Sequence, residues 1–113
     1  MTGRELDNQF QWAAHEPAAL AEDLSQEIID VVKYRQPATG LGPEESVIVA
    51  FGGEVYRDKK VSSGTFARAV ELFGHEGVMN RGALMGNYAA TAITLNAVDQ
   101  HIHPDRQPLL PLP

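Results

Sequence analysis

The chain has 113 residues, of which 43% are hydrophobic and 21% are charged, a composition typical of one folded domain. Its formal net charge of −6 argues against unspecific binding to nucleic acid or to anionic membranes. The absence of cysteine excludes disulfides, thiol redox chemistry and thiolate metal sites.

The sequence carries no signal for export or membrane insertion. Polar residues fill the N-terminal region where a signal peptide has its apolar core. The longest apolar stretch, residues 83–98, is interrupted by Asn87 and Asn96 and is shorter than the ~20 residues that cross a bilayer. We therefore expect a cytoplasmic protein with no membrane contact.

Residues 4–21 are predicted to form the first helix. Pro17 lies inside it, and because proline removes a backbone donor we expect a kink there. The apolar residues of this segment share one side of a helical wheel: Leu6, Phe10, Ala13, Pro17, Leu20 and Leu24.

His15 points to the other side of this helix, which it shares with Asn8, Gln11 and Trp12. A solvated face has little use for a tryptophan, so we expect both sides of the helix to be covered. The second cover is another part of the chain, another subunit or a ligand. His15 is then expected at a polar point between two apolar layers.

Two further helices follow. Ser25 is predicted to cap a second helix that ends near Tyr34. After a loop rich in glycine and proline, Pro43 takes the first position of a third helix, with acidic residues in its first turn. Residues 47–51 also fit a strand, so a strand remains the alternative for this segment.

The last two helices are separated by a glycine. Ser62 is predicted to cap a fourth helix that ends at Gly74, and residues 76–99 to form one long fifth helix. That helix carries a bulky stripe and a flat one with small residues at four-residue spacing. The bulky stripe is Leu84, Tyr88, Leu95 and Val98, and the flat one is Gly82, Gly86, Ala90 and Ala97, with Ile93 among them.

The expected fold is an all-α bundle of about five helices. Residues 1–100 form the helical domain, and residues 101–113 form a proline-rich tail that should be extended. Five such helices present more apolar surface than one small bundle buries within itself. We therefore expect a homo-oligomer.

Four separated segments resemble the carboxymuconolactone decarboxylase family. They are residues 10–21 (FQWAAHEPAALA), 25–30 (SQEIID), 61–74 (VSSGTFARAVELFG) and 83–92 (ALMGNYAATA), and the ending QPLLP at 107–111 is similar too. The resemblance covers nearly the whole chain. It implies the alkylhydroperoxidase-D-like fold, which is all-helical and assembles as trimers or hexamers.

Departures from the family pattern limit what the resemblance implies. If His15 matches the histidine of the peroxidase members, their two cysteines fall on Asn8 and Gln11. Neither residue performs thiol chemistry, which excludes an alkylhydroperoxidase-like antioxidant activity based on disulfide cycling. Gln11 also stands where decarboxylase-like members have an acidic residue, so His15 lacks that carboxylate partner. Relatives usually have further helices at the front, so we expect the family domain to be incomplete at its N-terminus.

Four residues are the candidates for a site. His15 is the candidate general acid or base, and its alternative is a structural histidine packed beside Trp12 and hydrogen-bonded to Gln11. Trp12 either stacks on a flat ligand or lies in the core or in a subunit interface, and the interface is the favoured alternative. Gln11 would orient a ligand, and Tyr88 either hydrogen-bonds it or packs between helices. Glu16 is read as a solvated surface residue, with the role of acidic partner to His15 as the alternative.

By resemblance, the expected chemistry is proton transfer on a small oxygenated acid or lactone, ending in loss of carbon dioxide. The alternative is a catalytically silent, shortened paralogue that acts only through helical assembly. No metal or organic cofactor is implied. His101 and His103 have a spacing that suits metal ligands in a strand, but the proline-rich tail offers few partners.

Overall fold

The computed structural model describes residues 1–112, and in these residues the secondary structure is all-helical. The helices are α1 (Thr2–Glu5), α2 (Gln9–Ala21), α3 (Gln26–Lys33), α4 (Pro43–Gly53) and α5 (Ser63–Ala97). A π-helical segment, Glu54–Asp58, continues α4. None of these helices combines the length and the apolar character needed to cross a bilayer.

The predicted first helix is in fact two helices, α1 and α2. Asn8 separates them: its backbone is extended, and its side-chain oxygen accepts a hydrogen bond from the N–H of Gln11 at 2.7 Å. Such an N-cap stabilises a new helix start. The prediction of one helix over residues 4–21 is therefore wrong at residues 6–8, where the helix is interrupted, although α2 does continue through Pro17.

The buried side of α2 is the polar side that contains Trp12. Asn8, Gln11 and Trp12 are only 2%, 5% and 8% exposed, whereas Phe10 and Leu20 are 38% and 42% exposed. Of the predicted apolar stripe, only Ala13 is fully buried. Both sides were expected to be covered, and in the single chain the cover lies mainly on the polar side, because its hydrogen bonds to α5 turn it inward.

The predicted starts of the later helices are confirmed. Ser25 caps α3 by accepting from the N–H of Ile28, and Ser62 caps α5 by accepting from the N–H of Thr65. Pro43 is the first residue of α4. Residues 47–51 are helical, and Val47, which is 1% exposed, fixes the orientation of α4 against α5.

Gly74 marks the break between the last two predicted helices. Its φ of 70° and ψ of 171° are not helical, and they divide α5 into two arms, residues 63–73 and 75–97. A positive φ is accessible to glycine because it has no Cβ. The change of direction lets Ala69 of the first arm and Val78 of the second share one core cluster with α4.

A second core cluster forms around α2 and α3 and includes the tail. It contains Trp12, Ile29 and Leu110. Gln9 holds the tail in place: its Oε1 accepts from the N–H groups of Leu109 and Leu110 at 3.1 and 2.8 Å, and its Nε2 donates to the carbonyl of Leu110 at 2.8 Å. The end of the described chain therefore packs on the helices.

The second arm of α5 leaves much apolar surface exposed. Leu84, Ile93 and Val98 are 57%, 61% and 67% exposed, and Gly82, Gly86, Ala90 and Ala97 are exposed as well. Both predicted stripes of this helix therefore reach the surface of the single chain.

Candidate small-molecule pocket

A pocket of about 320 Å³ lies where α2 and α3 face α5. Its walls are mainly apolar, with Leu24, Ile28, Ile29, Val32, Leu84 and Met85 among the lining residues. This volume is at the lower end of the range for ligand sites. The pocket is therefore large enough to hold a small molecule.

All four candidate site residues line this one pocket. Gln11, Trp12 and His15 reach it from α2, and Tyr88 reaches it from α5. The ring of His15 meets the ring of Tyr88 edge to face, with 5.1 Å between their centroids and 82° between their planes. The chain thus brings together residues that are more than seventy positions apart in sequence.

The imidazole of His15 is exposed in the single chain. Within the single chain, the shelter expected for this side of the helix is present at Trp12, which is buried, and absent at His15. A neutral imidazole both donates and accepts hydrogen bonds. At the rim of an apolar pocket it can exchange protons with solvent and with a bound molecule.

Gln11 is fixed by a hydrogen bond to the opposite wall. Its Nε2 donates to the backbone carbonyl of Tyr88 at 3.0 Å. Because a carbonyl only accepts, the group that faces it must be the NH₂ of the Gln11 amide, and the amide oxygen points the other way. The other end, Oε1, is buried and has no hydrogen-bond partner among residues 1–112.

Glu16 lies in a buried ion pair. The indole N–H of Trp12 donates to its Oε2, and the Lys33 ammonium lies 3.1 Å from its Oε1. The side chains of Lys33 and Glu16 are only 11% and 9% exposed. The reading of Glu16 as a solvated surface residue is therefore wrong. It is buried because α3 packs its last turn against α2.

Lys33 is the residue near the site that the sequence did not indicate. It ends α3, where a lysine is ordinarily explained by the helix dipole and by solvent. Nothing in the spacing of Glu16 and Lys33 predicts their contact, because the loop between α2 and α3 sets it. Asn8 was detectable, since Asn8 and Gln11 have the spacing of a capping box.

The two tail histidines do not converge on a common point. His101 pairs with Asp99 and His103 with Asp105, each at 3.1 Å and each exposed. Within residues 1–112, no three His, Cys, Asp or Glu side chains are grouped closely enough to hold a metal ion.

Comparison with protein-family models, with curated proteins and with solved structures gives no match to this chain.

Proposed function

We propose that the pocket binds a small, mostly apolar, oxygen-bearing molecule and that His15 transfers a proton to or from it. The observation that carries this proposal is the convergence of Gln11, Trp12, His15 and Tyr88 on one mostly apolar cavity. A general acid or base needs to lie within reach of its substrate, and His15 is the pocket residue suited to that role near neutral pH.

The narrower form of the proposal is the family reaction. By the resemblance to carboxymuconolactone decarboxylases, the substrate would be a lactone acid that loses carbon dioxide, with His15 as the proton shuttle. The flat indole of Trp12 offers a surface for such a ring. Gln11 would orient the ligand without exchanging protons, because an amide does not ionise at neutral pH.

The proposal has a broad form, proton transfer on a small molecule, and a narrow form, the family decarboxylation. Two assays run side by side test them. The first follows carbon dioxide release from a carboxymuconolactone. The second follows deuterium uptake from heavy water into a simple butenolide by NMR, which reports proton transfer without decarboxylation. Each is run with the wild type, His15→Ala and His101→Ala, an exposed histidine outside the pocket.

Loss of a general acid or base typically lowers the rate by ~10²- to 10⁴-fold, and we expect such a loss in His15→Ala alone. Deuterium uptake without carbon dioxide release would support the broad form and overturn the narrow one. A wild type that is inert in both assays, or a fully active His15→Ala variant, would overturn both forms.

The second candidate function is assembly without catalysis. The observation that favours it is the exposed second arm of α5, whose residues 82–97 include no charged side chain. Small residues at helical spacing let another helix backbone approach closely. We propose that a second copy of this chain covers this surface and that the protein is a homo-oligomer, a trimer or hexamer by resemblance.

Ile93→Glu tests this assembly, because it places a charge on the exposed apolar arm. Analytical ultracentrifugation of the wild type should show an oligomer, and the variant should shift toward the monomer. Ala67→Glu, at an exposed position of the first arm, is the matched control. A wild type that stays monomeric at high concentration would contradict the proposal.

A further inference from the structure

The hydrogen-bond donors on the buried wall of the pocket are already engaged by the protein. The indole N–H of Trp12 is bound to Glu16, and the amide nitrogen of Gln11 is bound to the carbonyl of Tyr88. The Lys33 ammonium lies within 3.1 and 3.2 Å of the two oxygens of Glu16. At this buried wall, an incoming anion would have to displace one of these contacts to obtain a strong donor.

The charges around the pocket also disfavour an anion. Glu16 lines the pocket with a carboxylate, while Lys33 is not among the lining residues. No arginine or lysine in the described chain lines it. A ligand carboxylate placed against the buried wall would lose its hydration without gaining a free donor there, which is costly.

We propose that the pocket selects uncharged, ring-sized molecules with one polar group over carboxylates of the same shape. This inference rests on the proposed small-molecule site and names its ligand class. The apolar wall takes the ring, and the polar group lies toward His15 and Tyr88, whose side chains both donate and accept hydrogen bonds. Proton transfer on a neutral lactone or alcohol fits this pocket better than decarboxylation of an acid.

The matched probes are benzyl alcohol and benzoate, which share a ring and differ in charge. Trp12 is the single tryptophan of the chain and lines the pocket, so its fluorescence reports binding directly. We expect benzyl alcohol to bind at least about tenfold more tightly than benzoate, a difference of ~1.4 kcal/mol. Equal or tighter binding of benzoate would overturn the selectivity while leaving the small-molecule site in place.

Two variants test the cause of the selectivity. Glu16→Gln leaves the Lys33 ammonium without its carboxylate, so benzoate should gain affinity relative to benzyl alcohol. Glu16→Gln combined with Lys33→Met removes both charges, so the preference for benzyl alcohol should shrink without reversing. The double variant keeps the test valid if the single variant does not fold, since removal of a whole buried ion pair is often tolerated.

The remaining outcomes are decisive as well. An unchanged preference in the folded double variant would overturn the role given to Glu16. If neither probe changes the emission of Trp12 in the wild type, the inference and the proposed pocket both fail. If benzyl alcohol binds selectively and His15→Ala keeps full activity, the ligand class stands and proton transfer fails.

Discussion

The ammonium of Lys33 lies 3.1 Å from the carboxylate of Glu16, seventeen residues earlier in the chain, and the pair joins α3 to α2 behind the pocket. The same carboxylate accepts the indole N–H of Trp12. One buried anion therefore positions an aromatic wall of the pocket and the end of a helix. This arrangement connects the stability of the fold to the shape of the site.

Breaking this pair from one side should be strongly destabilising. Lys33→Met leaves Glu16 as a buried, unpaired carboxylate, and loss of one partner of a buried ion pair costs ~3–5 kcal/mol in free energy of unfolding. Combining Lys33→Met with Glu16→Gln should cost clearly less than Lys33→Met alone. Urea denaturation of the variants measures the difference. A double variant less stable than Lys33→Met would contradict a net penalty from the unpaired charge.

Asn8 should matter more for stability than an ordinary helix cap. It caps α2, and its Nδ2 also donates to the carbonyl of Ala92 at 3.2 Å and to Oδ1 of Asn96 at 2.7 Å. We expect Asn8→Ala to lower the free energy of unfolding by ~2–3 kcal/mol, from the lost cap and the lost buried hydrogen bonds.

The matched control for Asn8 is Ser25→Ala, which removes an exposed cap from α3. Its expected cost is ~1 kcal/mol or less. Equal costs for the two variants in urea denaturation would show that the contacts of Asn8 with α5 add nothing to its capping.

The tail should be released when its side-chain clamp is removed. Gln9→Ala deletes three hydrogen bonds to the backbone of Leu109 and Leu110. We expect the amide hydrogens of both leucines to exchange faster with heavy water, because exchange follows local opening. Gln26→Ala, which removes an exposed amide contact to Asp30, is the control. Unchanged exchange in Gln9→Ala would show that burial of Leu110 alone holds the tail.

Acid should weaken the start of α5 through Glu54. Its carboxylate accepts from the hydroxyl of Thr65 and from the N–H and hydroxyl of Ser62, and these bonds lower its pKa below the ordinary 4.5, with the Thr65 bond as the largest cause. Because the pKa of Glu54 is lower in the folded state, its contribution to stability is fully present when the pH is above the pKa of Glu54 in the unfolded chain. This contribution is lost as the pH falls through the pKa of Glu54 in the folded protein.

Glu54→Gln removes this titration. The wild type should therefore lose stability more steeply than the variant as the pH falls below about 4.5, the ordinary value. Thermal unfolding of both proteins across this range measures the two slopes. Parallel slopes would contradict the assignment of this acid sensitivity to Glu54.

Local signals in the sequence were enough to place most helices. Ser25, Pro43, Ser62 and Gly74 act on the backbone within a few residues of themselves, through capping, a fixed φ or a positive φ. Their effects therefore do not depend on how the helices pack. Asn8 acts in the same local way, because it caps α2 through the N–H of a residue three positions further on.

The helical wheel does not show which side of α2 the chain itself buries, because it counts apolar side chains and ignores specific polar contacts. Phe10 and Leu20 remain partly exposed, while Asn8 and Gln11 are buried by hydrogen bonds to α5. Long-range partners of this kind are not encoded in the spacing of one segment. The same reason explains why the pair of Glu16 and Lys33 was not foreseen.

The sequence by itself determined an all-helical, cysteine-free chain with identifiable helix starts. It also indicated candidate site residues on α2, namely Gln11, Trp12 and His15. Only the tertiary structure decided that Tyr88 meets His15, that Glu16 is buried against Lys33 and that the tail closes over Trp12. The physical reason is that capping and backbone preferences act over one turn. A pocket depends on which helix faces pack together.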